Sequence, residues 1–550
     1  MVLGLAATRT TPTRTPRRTL WLAAAGVAVL AVAAVVVALV SSSGTSVTPL
    51  PPLYPGRVGP QTMFTAGSIA TDTPANLQEL KALGVDRVHI YMHWADIAPD
   101  PTSRTKPSFD ASDPSAYPAG GWAPYDAVIR DLSSLHMGVD LDLIAPPPNW
   151  ASGKGAPHPA KQPFWHPSAA DFAPFVRAVA TRYDGHYTPP GASRPLPRVS
   201  FWSIWNEPNL GIEIAPEAID HSQIEVAPKY YRGLVDAAWG AFQATGHGHD
   251  TILIGEVAPA GETTGVGPGN FNSMAPLRFL RALYCVGSNY EPLRGLAATE
   301  RGCPATAAES DQFAAQNPGL FKASGFADHP YPQGLPPNRV TPDEPDFAEL
   351  AAVGKLEGVL DRMQRVYGSS TKFPIWSTEF GYQTTPPDPE AGTVSPQVAA
   401  YYLNWSEYLT WLDPRQKSYD QYLLQDAPNG YFATGLVSAN GVPKPGYYAF
   451  RMPLYLPVTE TAKGHPLDVW GGVRPAPSAA QATHKLQVVQ IQFRAGDSGG
   501  FRTLRTLPIT DRYGYFDVRQ TFPSSGQVRL AWAAPHAGTD FSRTVDITLN

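Results

Sequence analysis

Short apolar runs alternate with amphipathic stretches through most of the chain. A run near Met63–Ala66 is followed by Leu77, Leu80 and Leu83 at helical spacing. Thr73 stands where an N-cap belongs, Pro74 at the first helical position, and Gly84 where the helix stops. The next runs are VDRVHIYMHW (85–94) and GVDLDLIA (138–145). Ser168 then caps a helix carrying Phe172, Phe175, Val176, Val179 and Tyr183, which Asp184-Gly185 ends. VSFWSIWN (199–206), TILIG (251–255), SGFAD (324–328), KFPIWST (372–378) and DQYLLQD (420–426) complete the series. Eight strands, each followed by helical or mixed sequence, imply a parallel sheet closed as a (β/α)₈ TIM barrel over residues 57–456. A doubly wound open sheet is the competing arrangement, but no Gly-rich phosphate loop follows an early strand.

Beyond Pro457 the period changes from helical to two. KLQVVQIQFR (485–494), GYFDVRQTF (514–522), QVRLAWAA (527–534) and RTVDITLN (543–550) alternate apolar and polar positions between turn residues. This predicts a small all-β sandwich over 457–550.

The N-terminus has a different pattern. Arg9, Arg14, Arg17 and Arg18 lie in a basic segment (1–19) ahead of the unbroken apolar run Leu20–Val40. That run is long enough to span a bilayer, and the arginines would keep its start in the cytoplasm. It is longer than the apolar region of a cleavable signal. The expectation is a single-pass anchor in the cell membrane with the rest of the chain extracytoplasmic; the alternative is a secreted protein. SSSGTSVTPLPPLYPG (41–56) reads as the tether.

Composition sharpens this picture at a few points. The net charge is −5 and no basic run occurs in the body of the chain, which argues against nucleic acid as a partner. With 58 prolines and 43% apolar residues, the connections read as long and stiffened rather than disordered. The two cysteines, Cys285 and Cys303, share one segment and are expected to form a disulfide outside the cell. No Cys/His metal spacing is present, so no metal or cofactor is expected. The sequence leaves the oligomeric state open.

Catalytic groups of such a barrel lie where its strands end. The second strand leads to His93 and Trp94, the third to Trp150, the fourth to Asn206-Glu207 and the fifth to Glu256. The sixth leads to Asp328-His329-Pro330-Tyr331, the seventh to Glu379, and the eighth ends near Gln425-Asp426. Carboxylates, histidines and aromatics on one rim suit a sugar. Glu207 and Glu379 both follow aromatic-rich apolar runs, and only a barrel brings the fourth and seventh strand ends face to face. Glycoside hydrolysis with retention needs such a pair, one protonated and one ionised.

Four segments, in order, resemble glycoside hydrolase clan A, the retaining barrel enzymes that include families 5 and 39. They are WNEPN (205–209), HPY (329–331), WSTEFG (376–381) and NGVPKPGYYAF (440–450). The resemblance implies Glu207 as acid/base and Glu379 as nucleophile. It implies Asn206 on the sugar 2-hydroxyl and Tyr331 donating to Glu379. His329 would touch substrate or support the pair. Trp94, Trp150 and Trp376 are expected sugar platforms, and Glu256 a hydroxyl acceptor. Clan members often carry an arginine on the second strand near the nucleophile. Here His89 holds the aligned position, with Arg87 two residues earlier on the same side of the strand. Either is expected to serve. The implied activity is hydrolysis of a β-linked polysaccharide or oligosaccharide, with exopolysaccharide or envelope glycan as the expected substrate. The competing function is a non-catalytic carbohydrate-binding or envelope-structural protein on the same barrel.

Overall fold

The computed structural model describes residues 50–218, 222–535 and 537–550. The basic segment and the apolar run Leu20–Val40 lie outside the described residues. Among those described, no helix is long and apolar enough to cross a membrane.

Eight parallel strands form the first sheet: β1 (Gln61–Thr65), β2 (Arg87–His93), β3 (Gly138–Ile144), β4 (Phe201–Ile204), β5 (Thr251–Val257), β6 (Gly325–Asp328), β7 (Ile375–Ser377) and β8 (Ser418–Tyr419). Their spatial order is β7-β6-β5-β4-β3-β2-β1-β8. Ile375 bridges Gln416 just ahead of β8, which joins the two ends of that order into a barrel. Each strand is followed by helix, from Pro74–Leu83 after β1 to Pro445–Arg451 after β8. The first helix begins as its sequence predicts: the Thr73 side chain accepts from the Asn76 N–H, and Gly84 closes the helix at φ 85°. A side chain other than glycine is rare at that angle.

The eighth strand differs from expectation. Regular β8 ends at Tyr419; the first half of DQYLLQD still runs beside β1, with Tyr422 bridging Thr65, and the rest is loop. Asp426 is buried and paired with Lys444 at 2.9 Å, so its carboxylate is held by a cation and not presented at the rim.

The strands are buried on both sides, but by different chemistry. Val88, Ile90, Leu141, Leu143, Trp202 and Ile204 join the apolar layer shared with the helices. The alternate residues turn inward. Phe201, Leu253, Ala327 and Trp376 form a small apolar cluster there. Above it the barrel interior is polar: the Ser203 hydroxyl donates to Asp140 at 3.2 Å, and His89 lies 3.7 Å from Asp142. TIM barrels are usually filled by branched aliphatic residues at these levels.

Two further sheets follow. One has strands in the order Glu460–Thr461, Val545–Leu549, Gly526–Ala534, Val488–Ala495 and Arg502–Pro508, with Gly538–Phe541 beside Gly526–Ala534. The other joins Tyr515–Gln520, Leu467–Gly472 and Leu454–Tyr455. Leu467 and Val469 of the smaller sheet share one core with Ile491, Phe493, Val528 and Leu530 of the larger. Buried Arg474 ties this region to the barrel through Glu407, 2.7 Å away on the helix Pro396–Leu412.

Candidate active site

β4 stops at Ile204 because the backbone leaves extended geometry. Trp205 has φ 68° and Glu207 φ 36°, left-handed values that cost about 1–3 kcal/mol each for such residues. Hydrogen bonds hold the turn: Trp205 N–H donates to Leu143 at 3.2 Å, and Glu207 N–H to the Glu256 carbonyl at 2.9 Å. The Asn209 side chain accepts from Ala258 N–H and donates to the Met274 carbonyl, fixing the next turn to its neighbours. The turn lifts Glu207 out of the strand and aims it across the barrel mouth.

The mouth opens into a cavity of about 440 Å³ lined by Asn206, Glu207, Glu213, Tyr331, Glu379 and Tyr91, with other residues around the rim. Glu207 and Glu379 face each other, with an oxygen of each within 4.8 Å of the other. Between and beneath them sits His329, fully buried. Its Nδ1 lies 2.9 Å from Oε1 of Glu207 and 3.5 Å from Oε1 of Glu379. Tyr331 donates to Oε2 of Glu379 at 2.8 Å, and the Tyr91 phenol donates to Oε1 of the same carboxylate.

Burial pushes the Glu379 carboxyl above its ordinary value; the His329 charge opposes this, the Glu207 charge adds to it, and the phenols of Tyr91 and Tyr331 pull it back. Burial alone would lower the His329 imidazole. The negative charge of Glu379 and the bonds to Glu207 and Glu256 overcome it and hold the ring well above the ordinary histidine range. The ring is therefore doubly protonated and donates from both nitrogens. Nε2 donates to Oε2 of Glu256 at 3.0 Å. Burial would raise Glu256 too, but that hydrogen bond and the His89 charge bring it below its ordinary value. Thr378 donates to the same Glu256 oxygen.

No protein-family model matches the chain, and no curated protein matches it. Solved structures similar to it include glucosidases. One is a glucosidase from Croceicoccus marinus, at 12% identity over 90% of this chain and 97% of that chain, with a TM-score of 0.46. Another is a family 1 β-glucosidase from Thermotoga maritima, at 16% identity over 73% of this chain and 98% of that chain, with a TM-score of 0.43. Family 1 belongs to clan A, the clan whose motifs the sequence resembles.

The structure brings Asn206, Glu207, Tyr331 and Glu379 to the cavity and His329 directly beneath it. It places the other expected sugar contacts elsewhere. Trp94 is fully buried and stacked on Phe175 at 5.3 Å. Trp150 packs edge-on against Trp94, and its ring N–H donates to the Pro99 carbonyl at 3.0 Å. Trp376 packs on Phe201 at 4.9 Å in the apolar cluster inside the barrel and also borders a hollow with Arg512 and Tyr513. These three rings are therefore filler for helix, loop and barrel packing, not platforms. Glu256 has no exposed surface and lies behind His329, so it cannot accept from a sugar. His89 is likewise sealed, 3.1 Å from the Thr65 hydroxyl. Arg87 turns away from the mouth, bonded to Gln61 and lying over the Phe201 ring. Neither bonds Glu379; Tyr91, two residues further along the same strand face, does.

Tyr91 and Glu213 escaped the sequence reading. Tyr91 continues the period-two series Arg87, His89, Tyr91, so the signal was present in the strand itself. Glu213 lies six residues beyond Glu207 in a loop with no regular spacing to mark it.

Two sets of three side chains, among the described residues, bring donor atoms within 4.8 Å of one another: Glu207, His329 and Glu379 at the mouth, and His89, Asp140 and Glu256 below. The lower set adjoins Asp142, whose carboxyl burial holds far above its ordinary value. Away from the site, Cys285 and Cys303 form a disulfide closing a loop with a sequence separation of 18.

Proposed function

We propose that this chain is a retaining glycoside hydrolase acting on a β-linked polysaccharide or oligosaccharide. The observation that carries the reading is the opposition of Glu207 and Glu379 with oxygens within 4.8 Å. Retaining enzymes place their carboxyl groups about 5–5.5 Å apart, whereas inverting ones leave about 6.5–9.5 Å for a water.

Glu379 attacks the anomeric carbon while Glu207 gives a proton to the departing glycosidic oxygen. The C–O bond to the leaving group breaks as the ester to Glu379 forms. Glu207, now ionised, takes a proton from water, whose oxygen displaces Glu379 and restores the starting state. His329 serves both steps: its Nδ1 shares a proton with Glu207 and its charge favours ionised Glu379. Tyr331 and Tyr91 orient that carboxylate and stabilise its charge. The anchor Leu20–Val40 would hold the enzyme at the outer membrane surface, beside exopolysaccharide or envelope glycan.

The experiment is a pair of variants on an activated aryl β-glycoside. Glu379→Ala abolishes turnover, and azide restores it with a glycosyl azide of inverted configuration. Glu207→Ala spares the first step when the leaving group is good. Wild-type activity in both variants would defeat the assignment.

A further inference from the structure

The loops around the mouth differ in length and in how they are joined. The connection after β1 is short, residues 66–73, and brings Gly67 alone to the cavity wall. Those after β6, β7 and β8 are long, residues 329–349, 378–395 and 420–444.

The three long loops are tied into one wall. Those after β6 and β7 meet backbone to backbone. Gly334 has φ 76°, and a Cβ there would collide with the Gly392 carbonyl, so the close approach requires glycine. The Tyr382 hydroxyl donates to the Leu335 carbonyl at 3.1 Å across the same junction. The loops after β7 and β8 are joined in turn. Thr384 N–H donates to the Ala433 carbonyl at 3.1 Å, and the buried Asp388 carboxylate accepts from Ala433 N–H at 3.1 Å. Ala348 N–H donates to the Pro259 carbonyl at 2.9 Å, which carries the wall on to the loop after β5.

This wall bounds the cavity itself: Gln333, Gly334, Tyr382, Gln383, Gly392 and Phe432 all line it. Glu379 stands on the wall's side of the mouth, at the end of β7, and Glu207 faces it from the end of β4. His329 closes the floor between them. The enclosed volume, about 440 Å³, is toward the small end of the roughly 300–1,000 Å³ of sites that surround a small ligand.

We infer that the wall is an end stop, so that the cavity seats the non-reducing terminal sugar of a β-linked glycan and one monosaccharide is released per turnover. This rests on the hydrolase reading above. In double displacement the sugar joined to Glu379 lies on the non-reducing side of the cleaved bond, and the leaving group departs beside Glu207. Cleavage of an internal bond would require a further sugar beyond the one on Glu379, where the joined loops stand. Cleavage of the terminal bond requires none. Water then supplies a hydroxyl to the released sugar and a hydrogen to the shortened chain.

The test uses the full chain and β-1,3- and β-1,4-linked tetrasaccharides of glucose, galactose, mannose and N-acetylglucosamine, each labelled at the reducing end with 2-aminobenzamide. Chromatography of early time points reads which labelled fragment forms first. The expected first product is the labelled trisaccharide, followed in order by the disaccharide. The same tetrasaccharide with its non-reducing sugar blocked as the 4,6-benzylidene acetal resists cleavage. A labelled disaccharide or monosaccharide formed first overturns the end stop and leaves the hydrolase reading standing. So does cleavage of the blocked chain at the unblocked rate. Cleavage of no tetrasaccharide overturns the inference as well, and the aryl glycoside assay then decides the hydrolase reading by itself.

Discussion

His329 donates from Nε2 to Oε2 of Glu256 across 3.0 Å, and neither side chain has any exposed surface. The pair lies directly behind the two facing carboxylates, so its charge state sets theirs. His329→Leu leaves Glu256 as a buried charge without its cation, which costs about 3–5 kcal/mol. The pH dependence follows from the two shifts. His329 is raised above its ordinary 6.5, so its stabilisation is full below that value and fades as pH rises through the raised one. Glu256 is lowered below its ordinary 4.5, so its stabilisation is present above that value and fades as pH falls through the lowered one. Denaturant unfolding shows the largest gap between wild type and variant from 4.5 to 6.5, narrowing in alkali. A gap of equal size at every pH contradicts the pairing.

Tyr331 acts on the other side of the site. Its phenol lowers the Glu379 carboxyl, and the proposed attack requires that carboxyl ionised. Tyr331→Phe removes a hydrogen bond to a charged group, about 1.5–3 kcal/mol, or roughly one to two pH units. The acidic limb of kcat/KM therefore moves to higher pH by that amount. A limb that stays in place shows that the phenol does not govern Glu379.

The disulfide is separate from the chemistry. Cys303→Ser opens a loop whose closure stabilises by about 3 kcal/mol on chain-entropy grounds. The melting temperature falls while kcat is unaltered, and a reducing agent does the same to wild type but not to the variant. A fall in kcat with unchanged stability contradicts this.

Trp94 separates packing from recognition. Its ring is fully buried against Phe175, so Trp94→Ala destabilises by about 3–5 kcal/mol and leaves KM for a glycoside unaltered. A raised KM at unchanged stability would return Trp94 to the sugar.

Legibility in the sequence followed the physics of each feature. Seven of the eight strands stand near their apolar runs because the face packed on the helices demands apolar residues at alternate positions, as Val88, Ile90, Leu141 and Leu143 show. The eighth was displaced: the regular strand is Ser418–Tyr419, and of DQYLLQD only the first half stays beside β1, through Gln421, Tyr422 and Leu423. Glu207 and Glu379 were readable because each directly follows an aromatic-rich apolar run inside a motif, WNEPN and WSTEFG. The three tryptophans were not, since a large ring suits a core as well as a sugar, and only tertiary contacts decide. Glu256 looked like a rim residue because it follows TILIG. Gly255, at φ 113°, and a register shift between Gly255 and Val257 place it inside the barrel instead.

The central claim is double displacement between Glu207 and Glu379, and product stereochemistry tests it most directly. Proton NMR of wild-type hydrolysis of an aryl β-glycoside, followed before mutarotation, reads the anomer first formed. The account predicts the β anomer, the configuration retained through two displacements. First formation of the α anomer would contradict it.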